Sequence, residues 1–146
     1  GQVLAVAEWF PNQGGAASDA FYKQFLARFP DPAQDYMHMR KQWMMQALGD
    51  ALKQVGPKAK DAGVDAFALA LALEQSQGSL GGHAAQMRAS DHQLQQPLAV
   101  AQMEKQGNEG TAFGVEGSGY GFKVVRRIGA ADASLPTTCQ MKRPTS

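Results

Sequence analysis

Apolar positions along this chain fall first into helical spacing and then, beyond residue 82, into short alternating runs separated by glycine. Val3-Leu4-Ala5-Val6-Ala7 is a short apolar run whose length and branched residues predict a buried strand. Pro11 and Asn12-Gln13-Gly14-Gly15 close it with turn formers. In an α/β sheet, residues 8–12 would lie at the carboxyl end of that strand, where such sheets bind ligands. Ser18 or Asp19 is suited to cap a helix, because a short oxygen-bearing side chain accepts from free backbone N–H groups. Phe21, Phe25 and Phe29 then recur every four residues, with Tyr22 and Leu26 beside them, and this stripe reads as core packing. Pro30 and Pro32 end the helix.

A longer helix is predicted from Asp35 to Val55, with Tyr36, Trp43, Ala47, Leu48, Ala51, Leu52 and Val55 along one side. Met37, Met39, Met44 and Met45 read as soft filler for irregular core gaps. Copper ligation would need converging sulfurs, and Met37 and Met39 point about 200° apart on a helical wheel. Gly56-Pro57 is a stop signal. Asp65 is placed to cap a third helix, Ala66 to Gln75. Its alternation of Phe67, Leu69, Leu71 and Leu73 with alanine has a strand's period, but alanine favours helix and disfavours strand.

The second half reads as strands. Residues 77–82 form a loop, Ala84 to Ala89 a short strand, Asp91 to Gln96 a turn, and Leu98 to Met103 a strand with Leu98, Val100 and Gln102 on one face. Residues 106–119 are loop-like and rich in glycine, and Tyr120 to Ile128 is another strand around Phe-Lys-Val-Val. Residues 130–146 read as an extended surface tail. A strand, three helices and then several strands make an α/β or α+β layer arrangement.

Composition adds limits. The 146 residues suffice for one domain with a real core, and 44% hydrophobic with 18% charged is ordinary for a globular chain. With 14 basic and 13 acidic side chains, the net charge of +1 argues against a nucleic-acid surface. No apolar run reaches the roughly 18–20 residues that span a bilayer, so no membrane insertion is expected. The chain opens at Gly1-Gln2 without an initiator Met and without a signal-like start, so it reads as cut from a longer precursor or as carrying a processed N-terminus. A single cysteine, Cys139, cannot form an internal disulfide.

Candidate chemistry is sparse. His83 and His92 flank one loop near Asp91 and Glu104, yet no HExxH or paired CxxC is present, so no metal ligands are assigned. Ser90 or Cys139 as a nucleophile would need a held base, and no GxSxG elbow occurs. Gly117-Ser118-Gly119-Tyr120-Gly121 precedes a strand, whereas a phosphate-binding loop opens a helix. No catalytic residue and no cofactor are assigned. Asp91-His92 stands as an active-site pair, as a ligand contact or as a turn held by Asp hydrogen bonds to backbone.

Three stretches together carry a family resemblance: Met87-Arg88-Ala89-x-Asp91-His92-Gln93-Leu94-x-x-Pro97, Glu116-Gly117-x-Gly119-Tyr120-Gly121-Phe122-Lys123, and Pro136-x-Thr138-Cys139-x-Met141-x-Arg143-Pro144. An aromatic helix ending in Ala27-Arg28-Phe29 and a long helix closed by Gly56 fit the same pattern. The chain resembles the substrate-binding proteins of branched-chain amino acid ABC transporters, of the Leu/Ile/Val-binding type, over their C-terminal portion.

That resemblance implies a periplasmic, non-enzymatic protein of two α/β lobes that closes by a hinge around a branched-chain amino acid or related small polar metabolite. It implies as partners the transporter's permease subunits and an N-terminal portion of the same polypeptide that this sequence lacks. Residues 1–146 would contribute to both lobes. By position, the ligand candidates are Glu8, Trp9 and Phe10 at the strand end facing the hinge, and Tyr36, His38 and Gln42 near the start of the long helix. An acidic group for the ligand's ammonium and an aromatic wall for its side chain make physical sense there. A truncated structural or interaction module without a complete cleft is the alternative. The Asp91-His92 stretch then reads as the turn between two strands.

Overall fold

A computed structural model describes residues 3–31, 38–58, 63–80 and 82–142. The order of elements is β1 (Leu4–Ala7), α1 (Ala16–Arg28), α2 (His38–Val55), a single 3-10 turn (Gly56–Lys58), α3 (Ala66–Glu74), β2 (Gln77–Leu80), β3 (His83–Arg88), β4 (Gln93–Gln95), β5 (Leu98–Lys105), β6 (Tyr120–Ile128) and α4 (Ala130–Ala133). The strands form two antiparallel sheets, ordered β1-β5-β6 and β2-β3-β4. The α/β class holds, and strands follow three helices as the apolar pattern predicts.

Sheet β1-β5-β6 is built around small residues. Ala5 and Ala7 of β1 face Ala101 and Ala99 of β5 in register, and both β5 alanines are buried. These side chains leave room for Phe10, which is 6% exposed and lies against Phe122 at 5.3 Å between ring centroids. The opposite face carries Leu4, Val6 and Val100, and Leu4 and Val6 are exposed. The expectation of a buried strand at residues 3–7 is therefore corrected: β1 is an edge strand with one apolar face open. A bulge between Val100 and Ala101 shifts the β5–β6 register and turns Val125 outward.

Sheet β2-β3-β4 was half hidden in the sequence. Residues 77–80, read as a loop because of Gly78 and Ser79, pair with β3 as a strand. Gly78 is there because of its neighbour: a Cβ at that position would sit 2.6 Å from Trp43 Nε1. Trp43 and Ala85 form a buried cluster, with Trp9, Phe21, Ala47 and Leu94 packed against it. The other face of this sheet aligns Gln77, Gln86 and Gln95 across the three strands.

Helix α3 and the C-terminal end of α2 fall where predicted to within a residue. Asp65 caps α3 as expected, accepting from Phe67 N at 2.8 Å. The predicted cap of α1 does not form: the helix starts two residues before Ser18, with Gly15 at the cap and no side-chain cap bond. Ser18 is buried instead and accepts a hydrogen bond from Trp9. The other buried side chain on α1 is Tyr22, while the phenylalanine stripe runs out to an exposed Phe29 tilted against Phe25. Met44 and Met45 are exposed, which corrects their reading as core filler. Residues 35–37, including Tyr36 and Met37, lie outside the described residues, as do Arg143 and Pro144. The tail opens with one short helix, α4, and is irregular from 134 to 142.

Arg127 on β6 ties the two sheets together. Its guanidinium donates to the Gln13 carbonyl and lies 2.9 Å from His83 Nε2 on β3. Burial, and then the Arg127 charge, lower the His83 pKa, so the folded state favours the neutral ring that can accept from Arg127. A histidine whose folded pKa is depressed contributes stability at higher pH and loses it as pH falls through the ordinary value of about 6.5. Melting temperature should therefore drop between about pH 7.5 and pH 5.5, and His83→Gln, which cannot protonate, should shrink that drop. An unchanged pH dependence in the variant would remove His83 from the account. Separately, Trp43→Ala should cost about 3–5 kcal/mol in urea unfolding, the range for deleting a buried aromatic.

Candidate functional site

Residues 8–12 leave the carboxyl end of β1 and turn at once into the centre of the molecule. Trp9 Nε1 donates to Ser18 Oγ at 2.8 Å, and its ring packs edge-on against Phe21 at 6.4 Å and tilted against Tyr22 at 5.7 Å. Tyr22, 1% exposed, stands edge-on to Phe113 at 4.8 Å and lies 3.4 Å from the Gly114 carbonyl, to which its hydroxyl donates. Asn12 completes the arrangement by accepting from Phe113 N and donating to Phe113 O, both at 2.8 Å. A glycine at 121 makes this possible, since a Cβ there would fall 2.2 Å from Phe113 O.

The candidates sort by what their side chains do. Trp9 is half-buried and packs against the Trp43–Ala85 cluster, so the end of β1 and the first turns of α2 meet. Gln42, beside Trp43, is half-buried, as is Glu8 beside Trp9. Phe10 is taken up by the core of sheet β1-β5-β6. His38 opens α2. Tyr36 lies outside the described residues. Two cavities, of about 360 and 410 Å³, lie elsewhere: one between α2 and α3, the other over the glutamine face near α4. Neither is lined by Glu8, Trp9, Phe10 or Gln42.

Sequence reasoning missed Tyr22 and Asn12 as fixtures of this region. Asn12 carried only the signal of a turn former, and nothing local pointed to a partner 101 residues away. The aromatic stripe of α1 was visible, but the register that buries Tyr22 depends on where Trp9 and Phe113 stand.

The Asp91-His92 stretch forms the turn between β3 and β4. The N–H of His92 donates to the Arg88 carbonyl at 2.8 Å, and Gln93 N donates to Asp91 Oδ1 at 3.1 Å. His92 adopts φ 58°, in the left-handed region, and its Nε2 lies 2.7 Å from Glu74 at the end of α3. Arg88 grips Asp91 through Nε at 2.8 Å and Nη2 at 2.5 Å, and its Nη1 donates to the Leu135 carbonyl at 2.8 Å. The arginine holds the Asp91 carboxyl far below the usual carboxylate range, with a smaller contribution in the same direction from Thr137. Both side chains that would be a catalytic pair are thus engaged in holding the corner and the tail. Among the described residues no three His, Cys, Asp or Glu side chains converge on a metal position.

The family model described as periplasmic binding protein matches residues 1–108. The chain belongs to the periplasmic binding protein family. It is 28% identical over 139 residues to the Leu/Ile/Val-binding protein homolog 4 of Brucella abortus, and the same figures hold for its counterpart in Brucella suis. That alignment takes in 92% of this chain and 31% of the relative, so the chain spans about a third of the curated relatives it matches. In three dimensions it is similar to the closed crystal structure of the leucine-, isoleucine-, valine-, threonine- and alanine-binding protein of Brucella ovis, with a TM-score of 0.73 and 25% identity. That match covers 97% of this chain and 35% of the other. The α/β architecture matches part of a periplasmic binding protein.

A carboxylate with a depressed pKa contributes stability above its ordinary pKa and loses it as pH falls toward the folded value. Arg88→Ala releases Asp91 from that depression. The acid-unfolding midpoint, followed by circular dichroism, should therefore move to higher pH, and proteolytic cleavage within residues 134–142 should accelerate. An unmoved acid midpoint would show that the Arg88–Asp91 pair does not govern acid stability.

Proposed function

We propose that this chain is part of the solute-binding component of an ABC importer and binds a branched-chain amino acid or a related small polar metabolite outside the cytoplasm. The observation that carries the reading is the likeness, over 97% of the chain, to a solved amino-acid-binding protein in its closed form. The meeting of the end of β1 with the start of α2 through Trp9 and Trp43 supports it as well. Glu8, Trp9, Tyr36, His38 and Gln42 are the side chains proposed to face the solute, with Phe10 as packing beneath them. Glu8 would balance the solute's ammonium group, and Trp9 would wall its side chain. Binding proceeds by closure of two lobes about a hinge, and the closed form is what the permease subunits recognise.

The chain covers 31% of the relative's length, and in this reading the cleft is completed by groups from a further length of polypeptide. Residues 1–146 would then contribute to both lobes, with the tail from 130 onward lying along the surface. Among the described residues no helix is long and apolar enough to cross a membrane. The chemistry proposed is binding alone, with no catalytic group and no cofactor.

Calorimetric titration of the full-length polypeptide with the protein amino acids, short amides and other small polar metabolites tests this. One or more aliphatic amino acids should bind, and Trp9→Ala should weaken that binding at least about tenfold, the loss expected for a contact worth roughly 1.4 kcal/mol. Silence across the panel, together with turnover of some substrate, would overturn the reading.

A further inference from the structure

Between β1 and β6 the backbone passes from one sheet to the other by two crossings. Residues 8–15 lead from β1 to α1, and Gln96-Pro97 lead from β4 to β5. Sheet β1-β5-β6 stands on one side of both crossings, and α1, α2, α3 and sheet β2-β3-β4 stand on the other. Side chains also bridge this divide. Tyr22 of α1 meets Phe113 in the loop between β5 and β6, and Arg88 of β3 donates to the Leu135 carbonyl beyond α4. Arg127 of β6 meets His83 of β3, Nη1 to Nε2 at 2.9 Å, and donates as well to the Gln13 carbonyl in the first crossing.

Of these contacts, the last alone includes a group that changes charge near neutrality. A guanidinium only donates, so His83 must accept through a neutral ring. A protonated ring has no acceptor left and sets a second positive charge against Arg127. Burial and then the Arg127 charge both disfavour that charged form. The elements around the ring supply little to offset it. Strand β2, which pairs Leu80 with His83, carries no ionisable residue, and residues 9–15 carry none, with Glu8 at the head of that crossing. Arg126 points to the opposite face of β6 by strand alternation. Glu74, the ionisable residue of α3, is paired with His92 beyond the far end of β3. On α2, which reaches β3 through Trp43 and Ala85, Lys41 is exposed and Asp50 and Lys53 pair with each other in solvent.

Resting on the binding-protein reading above, we infer that Arg127 and His83 form a pH-sensitive latch across the two crossings, holding the two sides together around the solute while His83 is neutral and letting them part when it is protonated. The structure in which this contact is made is similar to a closed binding protein over 97% of its length, so the neutral ring goes with the closed arrangement. Arg127 also holds Gln13, in the same crossing as Glu8, Trp9 and Phe10, so release of the latch loosens the segment that carries those ligand candidates. His92 and Glu74 lie on one side of the divide, and their ionisation does not act across it.

The test is calorimetric titration of the full-length polypeptide with leucine, isoleucine and valine at about pH 7.5 and about pH 5.5, on either side of the ordinary histidine pKa. Circular dichroism checks that the protein is folded at both. Affinity should fall at least about fivefold at the lower pH, the low end of ordinary coupling between two sites. The closed form binds fewer protons than the open one, so solute binding should release protons between those pH values. His83→Gln, whose carboxamide accepts from Arg127 at either pH, should bind as the wild type does at the higher pH and lose most of the fall at the lower. Should that variant not fold, Arg127→Gln removes the opposing charge and should shrink the fall in the same way. A fall of equal size in the variant, or none in the wild type, overturns the latch and leaves the binding-protein reading in place. If none of the three amino acids binds at either pH, that reading fails, and the latch is judged on the unliganded protein by X-ray scattering. Its radius of gyration should then rise on acidification in the wild type and stay constant in the variant, and equal behaviour of the two overturns the latch.

Discussion

The arrangement hangs on one side chain acting as a piece of backbone. The Asn12 carboxamide gives and receives the two hydrogen bonds that a neighbouring strand would give Phe113. A loop from 106 to 119 has many backbone groups and little regular structure to pair them, and leaving such groups buried and unmet is costly. Asn12 meets two of them at one residue. Phe113 is thereby held against Tyr22, Tyr22 against Trp9, and Trp9 against the Trp43–Ala85 cluster. The sheet β1-β5-β6 and the sheet β2-β3-β4 are in this way joined through α1.

What the sequence made legible was whatever is decided locally. Asp65 declares the start of α3 because capping needs only the next two residues, and the strand Tyr120 to Ile128 declares itself through its branched and aromatic run. What stayed hidden was decided at a distance. Gly78 and Ser79 have the composition of a loop, yet they pair with β3 as a strand, and Trp43 leaves no room for a side chain at 78. Ser18 has the chemistry of a cap but is claimed by Trp9. The apolar run at β1 looks internal because nothing in five residues tells a central strand from an unprotected edge.

The histidine-aspartate corner shows how a suggestive pair is resolved by its partners. Asp91 is bound by Arg88 from two nitrogens, and His92 reaches Glu74 across from α3. A general base must be free to take a proton from a substrate. Here the carboxylate is committed to an arginine that also holds the chain at Leu135, so the corner works as a fastening for β3, β4 and the tail. The ligand candidates sit at another place in the fold, where β1 ends and α2 begins.

The pairing of β1 with β5 also sets an order of assembly. Leu4 finds Gln102, and Asn12 finds Phe113, only after some hundred residues of chain have been made. The sheet β2-β3-β4 instead closes across short turns, within nineteen residues from Gln77 to Gln95. During synthesis β1 therefore emerges long before β5, and that pairing waits while the helices and the local sheet form in between. Closing so long a loop adds little entropy cost, since each doubling of length costs only about 0.6 kcal/mol. The burden is one of time, because non-local pairing is slow. The β1–β5 pairing is therefore a late event in the assembly of this sheet, whereas β2-β3-β4 can close early.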